Sequence, residues 1–162
     1  MPAAKKAPAM PYTGSSDAAG VTAARPGTKK LMEILQNRGF TNLGIYANRT
    51  MRGSSLLSVH ATGRALDAGY KQSRQEWVTK FADWLAEHHQ TLGIEEVHQY
   101  VWGTHGRGFR CNRQGKPGWL EWTEENNGGP GGYWLHIELA PAMADNANAL
   151  VRAWKSCPPL PE

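Results

Sequence analysis

His60 and Asp67 stand seven positions apart in Ser58-Val59-His60-Ala61-Thr62-Gly63-Arg64-Ala65-Leu66-Asp67, with small residues between them. An imidazole and a carboxylate at that separation can close on one metal ion if the intervening backbone turns tightly, and Gly63 and Ala65 permit this. His136, within Tyr133-Trp134-Leu135-His136-Ile137-Glu138-Leu139, offers a third donor. Two histidines and one carboxylate leave one position of a tetrahedral Zn²⁺ open, as a catalytic zinc requires and a structural zinc does not.

The elements that must position these donors follow from side-chain alternation. Asp67 alternates with Leu66 and Ala68, so its carboxylate points away from the core face of a short strand over 65–69. His136 and Glu138 alternate with Leu135, Ile137 and Leu139 and share one face of a strand over 133–139. Residues 1–27, rich in Ala, Pro, Gly and Ser, read as a flexible arm or linker. The folded domain is expected over 28–157, followed by a terminal linker at 158–162. Thr28 is a plausible N-cap for a helix carrying Leu31, Ile34 and Leu35 and ending at Gly39. Asn42 to Tyr46 reads as a short strand, and 49–59 as a polar loop. Ser73-Arg74-Gln75-Glu76 has the form of a capping box opening a helix that aligns Trp77, Val78, Phe81, Trp84 and Leu85. His88 and His89 then read as solvated. A strand is expected over 95–102, then a Gly-rich insertion over 103–132 holding a strand or lid at Trp119 to Trp122. The last helix starts at Pro141 and turns Ala147, Leu150, Val151 and Trp154 inward. Trp102, Trp119, Trp122 and Trp134 divide between core and a substrate groove. This order predicts an α+β fold with a small antiparallel sheet flanked by helices.

The 162 residues suffice for one domain with a core of its own. A net charge of +4 and a pI near 9.2 favour a polyanionic partner without fixing any chemistry. The only cysteines, Cys111 and Cys157, allow one disulfide and exclude a Cys₄ zinc site. Met1 to Lys6 has charge but no apolar run behind it, and no stretch approaches the length of a membrane span. Thr104 to Arg110 is basic and Gly-rich but lacks a phosphate-loop pattern.

Ser58-x-His60-x-x-Gly63-x-Ala65-x-Asp67 followed by His136-Ile137-Glu138 resembles the motif of the LAS-type zinc peptidases. That group comprises D-Ala-D-Ala carboxypeptidases and dipeptidases and phage endolysin L-Ala-D-Glu peptidases, and shares its metal-binding fold with the hedgehog signalling domain. The likeness is specific in its ten-residue core and runs more loosely from Thr28 to Trp154, taking in Gly44 to Arg49. It implies His60, Asp67 and His136 as zinc ligands. It also implies Arg49, with Arg52 as second choice, as the cation facing the scissile carbonyl or a substrate carboxylate; a fixed guanidinium there would stabilise an oxyanion. Family members carry an acidic residue or histidine shortly before the last zinc-binding histidine to move the proton. Here Pro130 to Trp134 supply none. Glu138 is the nearest substitute, and a glutamate at that place can equally orient a ligand. Glu121, Glu124, Glu125, His98 and His105 are the other candidates.

The resemblance therefore implies a zinc-dependent peptidase that cuts peptide stems or cross-bridges of bacterial peptidoglycan, as a phage endolysin does. The expected enzyme is a monomer, made in the cytoplasm without a signal peptide and acting at the cell wall, with neither nucleic acid nor membrane as partner. The alternative is a catalytically degenerate module that keeps zinc for stability and binds cell wall or serves in a virion. A nucleic-acid binder using Arg, Lys and Trp is a third reading.

Overall fold

A computed structural model of the protein describes residues 7–162; residues 1–6 of the expected arm lie outside the described residues. The chain runs α1 (Pro26–Gln36), β1 (Thr41–Gly44), a 3₁₀ turn (Val59–Thr62) and β2 (Ala65–Gly69). A second 3₁₀ turn (Gln72–Arg74), α2 (Gln75–Glu87), α3 (His89–Leu92) and β3 (Ile94–Gln99) follow. Then come β4 (Arg107–Arg113), β5 (Lys116–Glu121), β6 (Trp134–Leu139), α4 (Pro141–Ala144) and α5 (Ala147–Ser156).

The strands form one antiparallel sheet in the order β1-β2-β6-β3-β4-β5, so the architecture is α+β, as the alternation predicts. The last strand, β6, lies at the centre between β2 and β3. This register sets Asp67 opposite His136 and His136 opposite His98.

One face of the sheet is apolar. Leu66, Ala68, Leu135, Ile137, Leu139 and Val97 bury there with Leu31 and Leu35 of α1, Phe81 and Leu85 of α2 and Leu150 of α5. Phe81 is fully buried between Trp77 and Trp84, with ring centroids 5.1 and 5.9 Å away. Truncating it to alanine would cost about 3–5 kcal/mol through lost transfer energy and the cavity left behind.

Several local expectations differ from what forms. Helix α1 begins at Pro26, and Thr28 is not its cap; the Thr28 hydroxyl donates to Gly63 O at 2.7 Å, tying helix to site. The Ser73–Glu76 capping box does not form, because a 3₁₀ turn precedes α2 and no side chain caps it. Gln75 instead accepts from the Tyr70 hydroxyl at 2.6 Å. His89 is buried, with Nδ1 2.7 Å from Ala86 O and its ring 5.0 Å from Phe109, while His88 packs on Trp84. Both belong to the packed structure because the chain turns back into β3 directly after them. The Gly-rich insertion is largely a hairpin, β4–β5, turned at Gln114 and Gly115 with φ of 53° and 88°. Basic Arg107, Arg110 and Arg113 hid β4 from an apolar pattern. The final helix is two, broken at Asp145 and Asn146, where Asn146 caps Ala149 N at 2.9 Å.

Residues 7–25 lie along the domain as an irregular strap. Thr13 bonds the Glu95 carboxylate, Asp17 bonds Arg64 and Arg25, and Ala18 and Ala24 are buried.

Candidate metal centre

His60 sits in the 3₁₀ turn because Ser58 caps it, its hydroxyl accepting from His60 N at 3.3 Å. Gly63 ends the turn in the left-handed region, φ 72°, and a Cβ there would lie 2.4 Å from Ala23 O. Only glycine satisfies both the angle and the approach. The chain then enters β2, which carries Asp67 to His136 on β6. Donor atoms of His60, Asp67 and His136 all lie within 4.8 Å of one another. His60 and His136 are buried and Asp67 is half-buried, so this group could hold a metal ion.

The contacts show how the cluster is charged. His60 Nε2 lies 3.3 Å from Asp67 Oδ2, and His136 Nδ1 lies 2.9 Å from Asp67 Oδ1. Burial works against the Asp67 carboxylate, but hydrogen bonds from His136 and His60 outweigh it and hold the group well below the usual range. Burial likewise opposes charge on His136, yet its bonds to Asp67 and Glu138 raise it well above an ordinary histidine. His136 Nε2 bonds Glu138 Oε1 at 2.9 Å, on the side of the ring away from Asp67. A carboxylate that takes the remote N–H fixes the tautomer and frees the other nitrogen for a metal, so the donor set fits one.

Beside this pair stands a second. His98 on β3 is in register with His136, and its ring centroid is 5.0 Å away. His98 Nε2 bonds Glu96, which is itself opposite Glu138. Arg110 grips the Glu96 carboxylate through two bonds of 3.2 Å each. Burial raises the Glu96 pKa, but His98 and Arg110 overcome it and keep the carboxylate ionised. Glu96-Val97-His98 is the reverse of His136-Ile137-Glu138, and antiparallel pairing superposes them. Alternation along β3 places Glu96 and His98 on one face, the signal in the sequence for this pair; His98 is among the base candidates above, and Glu96 and Arg110 are not.

No family model, curated protein or solved structure matches the chain.

Of the remaining candidates, Arg49 is exposed, and its backbone runs beside the site: Arg49 O accepts from Ser58 N at 2.9 Å, and Ala47 N donates to His60 O. Arg52 is exposed at the tip of the same loop. Glu121, Glu124 and His105 line a cleft of about 430 Å³ walled by Trp122, whose ring stands edge-on to His98 at 5.0 Å. Glu125 is exposed in a turn with Thr123. Among the described residues, none of these four side chains hydrogen-bonds to the His60–Asp67–His136 cluster. Trp122 is buried and Trp134 is half-buried against Tyr100, whereas Trp102 and Trp119, also half-buried, flank Arg107, and Trp119 packs on the core residue Phe109. No helix of the described residues is long and apolar enough to cross a membrane.

Proposed function

We propose that this protein is a zinc-dependent peptidase of the LAS type, with the hedgehog-like metal-binding fold, cutting peptide stems or cross-bridges of bacterial peptidoglycan as phage endolysins do. The observation that carries the reading is the meeting of His60, Asp67 and His136 at one point, with Glu138 behind His136 and a second histidine alongside. Two imidazoles and a carboxylate suit zinc better than calcium or magnesium, which take oxygen donors. When bound there, zinc supplies Lewis-acid polarisation of the scissile carbonyl and a nucleophile at neutral pH.

The chain's own residues do the rest. Glu138 orients His136 and is not the base, since its Oε1 is engaged and the residue is buried on the far side of the ring. His98 is the proton-transfer group: Glu96 takes its Nε2–H, which leaves Nδ1 as an acceptor on a ring whose centroid is 5.0 Å from that of His136. Its place on β3 supplies what the segment before His136 lacks. Arg49 is exposed and beside His60, available to a substrate carboxylate or developing oxyanion. The half-buried ring of Trp134, on the strand face that carries His136, offers a flat wall for a peptide.

The test is mass spectrometry of soluble products from purified peptidoglycan incubated with the protein, with and without a zinc chelator. Chelator-sensitive fragments with new amino termini are expected and would name the bond. No cleavage by folded, zinc-loaded protein on walls of several chemotypes would leave the zinc-stabilised wall-binding or virion module.

A further inference from the structure

Under the metal cluster the sheet carries a layer of charge that solvent does not reach. Arg64 and Glu95 are fully buried, and Glu96 and Glu138 are each 3% exposed. Burying four charged side chains is strongly unfavourable unless each has partners. The strands supply only part of that set, and the irregular strap supplies much of the rest. Glu95 accepts from Thr13 N at 3.0 Å and from the Thr13 hydroxyl at 2.6 Å. Arg64 donates to Gly14 O and pairs with Asp17 at 3.1 Å. Tyr12 lays its ring over the Arg110 guanidinium, 4.1 Å from Cζ, and Arg110 in turn holds the Glu96 carboxylate. Burial and the neighbouring carboxylates of Glu138 and Glu96 push that phenol far above its usual range, so it stays a donor.

We infer that Met10 to Asp17 is a detachable strap that completes the site, and that Tyr12 is a positioning residue acting through Arg110 and Glu96 on His98. Two features make it a strap and not a core element. Its own backbone bonds are turns, such as Ser16 N to Thr13 O at 3.4 Å and Ala18 N to Ser15 O at 3.2 Å, with no ladder to a strand. Its grip on the domain is a short series of polar contacts ending on buried charges. Withdrawing it would hydrate Glu95 and Glu96, release Arg110, and leave His98 with a carboxylate free to swing. Withdrawal would also uncover Cys111, which is fully buried on β4 with Sγ 3.6 and 3.8 Å from Pro11 O and Met10 O. The role assigned to His98 rests on the peptidase reading; the docking of the strap does not.

Full-length protein carrying Cys157→Ser, which leaves Cys111 as the sole thiol, separates the two. Tyr12→Ala with Thr13→Val should speed native-state alkylation of Cys111 by iodoacetamide at least tenfold while cooperative unfolding is retained. Long-range ¹H–¹⁵N spectra of the histidine rings should show His98 as a fixed Nε2–H tautomer in the parent and as a tautomer average in that variant. Tyr12→Phe keeps the ring over Arg110, so it should keep Cys111 protected and the His98 tautomer fixed, whereas Tyr12→Ala alone should blur the His98 signal. On peptidoglycan fragments Tyr12→Ala should lower kcat severalfold with KM unchanged. Unchanged alkylation, or loss of cooperative unfolding, overturns the strap. A His98 signal untouched by Tyr12→Ala overturns the positioning role. If the parent cuts no peptide, the peptidase reading fails by itself, and the thiol and ring measurements still decide the strap and its hold on His98.

Discussion

Two histidine–carboxylate pairs stand side by side on adjacent strands, His136 with Glu138 and His98 with Glu96, each joined through Nε2. They differ in what surrounds them. The His136 side chain is 9% exposed and turns Nδ1 onto Asp67, whereas that of His98 is 22% exposed and rests against Tyr100 and Trp122. Behind them, Glu138 has one oxygen, Oε2, buried without a hydrogen-bond partner among the described residues, while Glu96 is held by Arg110, which Tyr12 covers. On the proposed reading, the same local chemistry gives one ring that would hold a metal and one that would meet a substrate, and environment rather than residue type would separate ligand from proton carrier.

That comparison breaks most readily at the rings. His136→Ala should abolish turnover and weaken zinc binding roughly a thousandfold, about 4 kcal/mol of a site energy on the order of 10 kcal/mol. His98→Ala should leave zinc affinity, measured by competition with a chromophoric chelator, where it was. Equal losses in the two variants would make His98 a ligand and end the distinction. Turnover sharpens it further: His98→Gln should slow peptide release by roughly 10²–10⁴-fold with zinc content intact, the usual worth of a positioned proton-transfer group. Full activity in that variant would return the search to Glu121, Glu124 and His105.

The carboxylates give a smaller contrast. Glu138→Gln should weaken zinc binding by about 10–100-fold, because the ring it orients is a ligand. Glu96→Gln should spare zinc binding and slow turnover. The least effect is in pH. Metal-free His136 keeps its proton well above the usual range, because its bonds to Asp67 and Glu138 outweigh burial. Zinc must displace that proton, so affinity should be weakest in acid. It should rise by about tenfold per pH unit per proton released, levelling once the raised pKa is passed. Chelator competition between pH 6 and 8 checks this; a flat profile would mean the proton is not shared as the geometry requires.

Much of the candidate metal centre was legible in the chain. His60, Gly63, Asp67 and His136 sit in local patterns, a capped turn and two alternating strands, whose geometry depends on near neighbours. Strand β4 was not legible, because Arg107 and Arg110 occupy places where an apolar period is looked for. They are buried or half-buried only because partners arrive from elsewhere, Arg107 with Asp83 at 2.9 Å and Arg110 with Glu96. The solvated reading of His89 failed for a related reason: Phe109, which covers it, is twenty positions away.

The amino-acid order by itself determined the α+β alternation, the tight turn that presents His60, and which residues can donate to a metal. Those properties follow from φ/ψ preferences and side-chain period, which act over a few residues. Only the tertiary structure decided that β6 enters between β2 and β3. That single insertion brings Asp67, His136 and His98 into one row, and Glu138 and Glu96 into the next. It also decided that an Ala- and Pro-rich segment with no pattern of its own lies against the layer beneath them. A buried charge selects its partner by proximity in space, and sequence separation does not record that proximity.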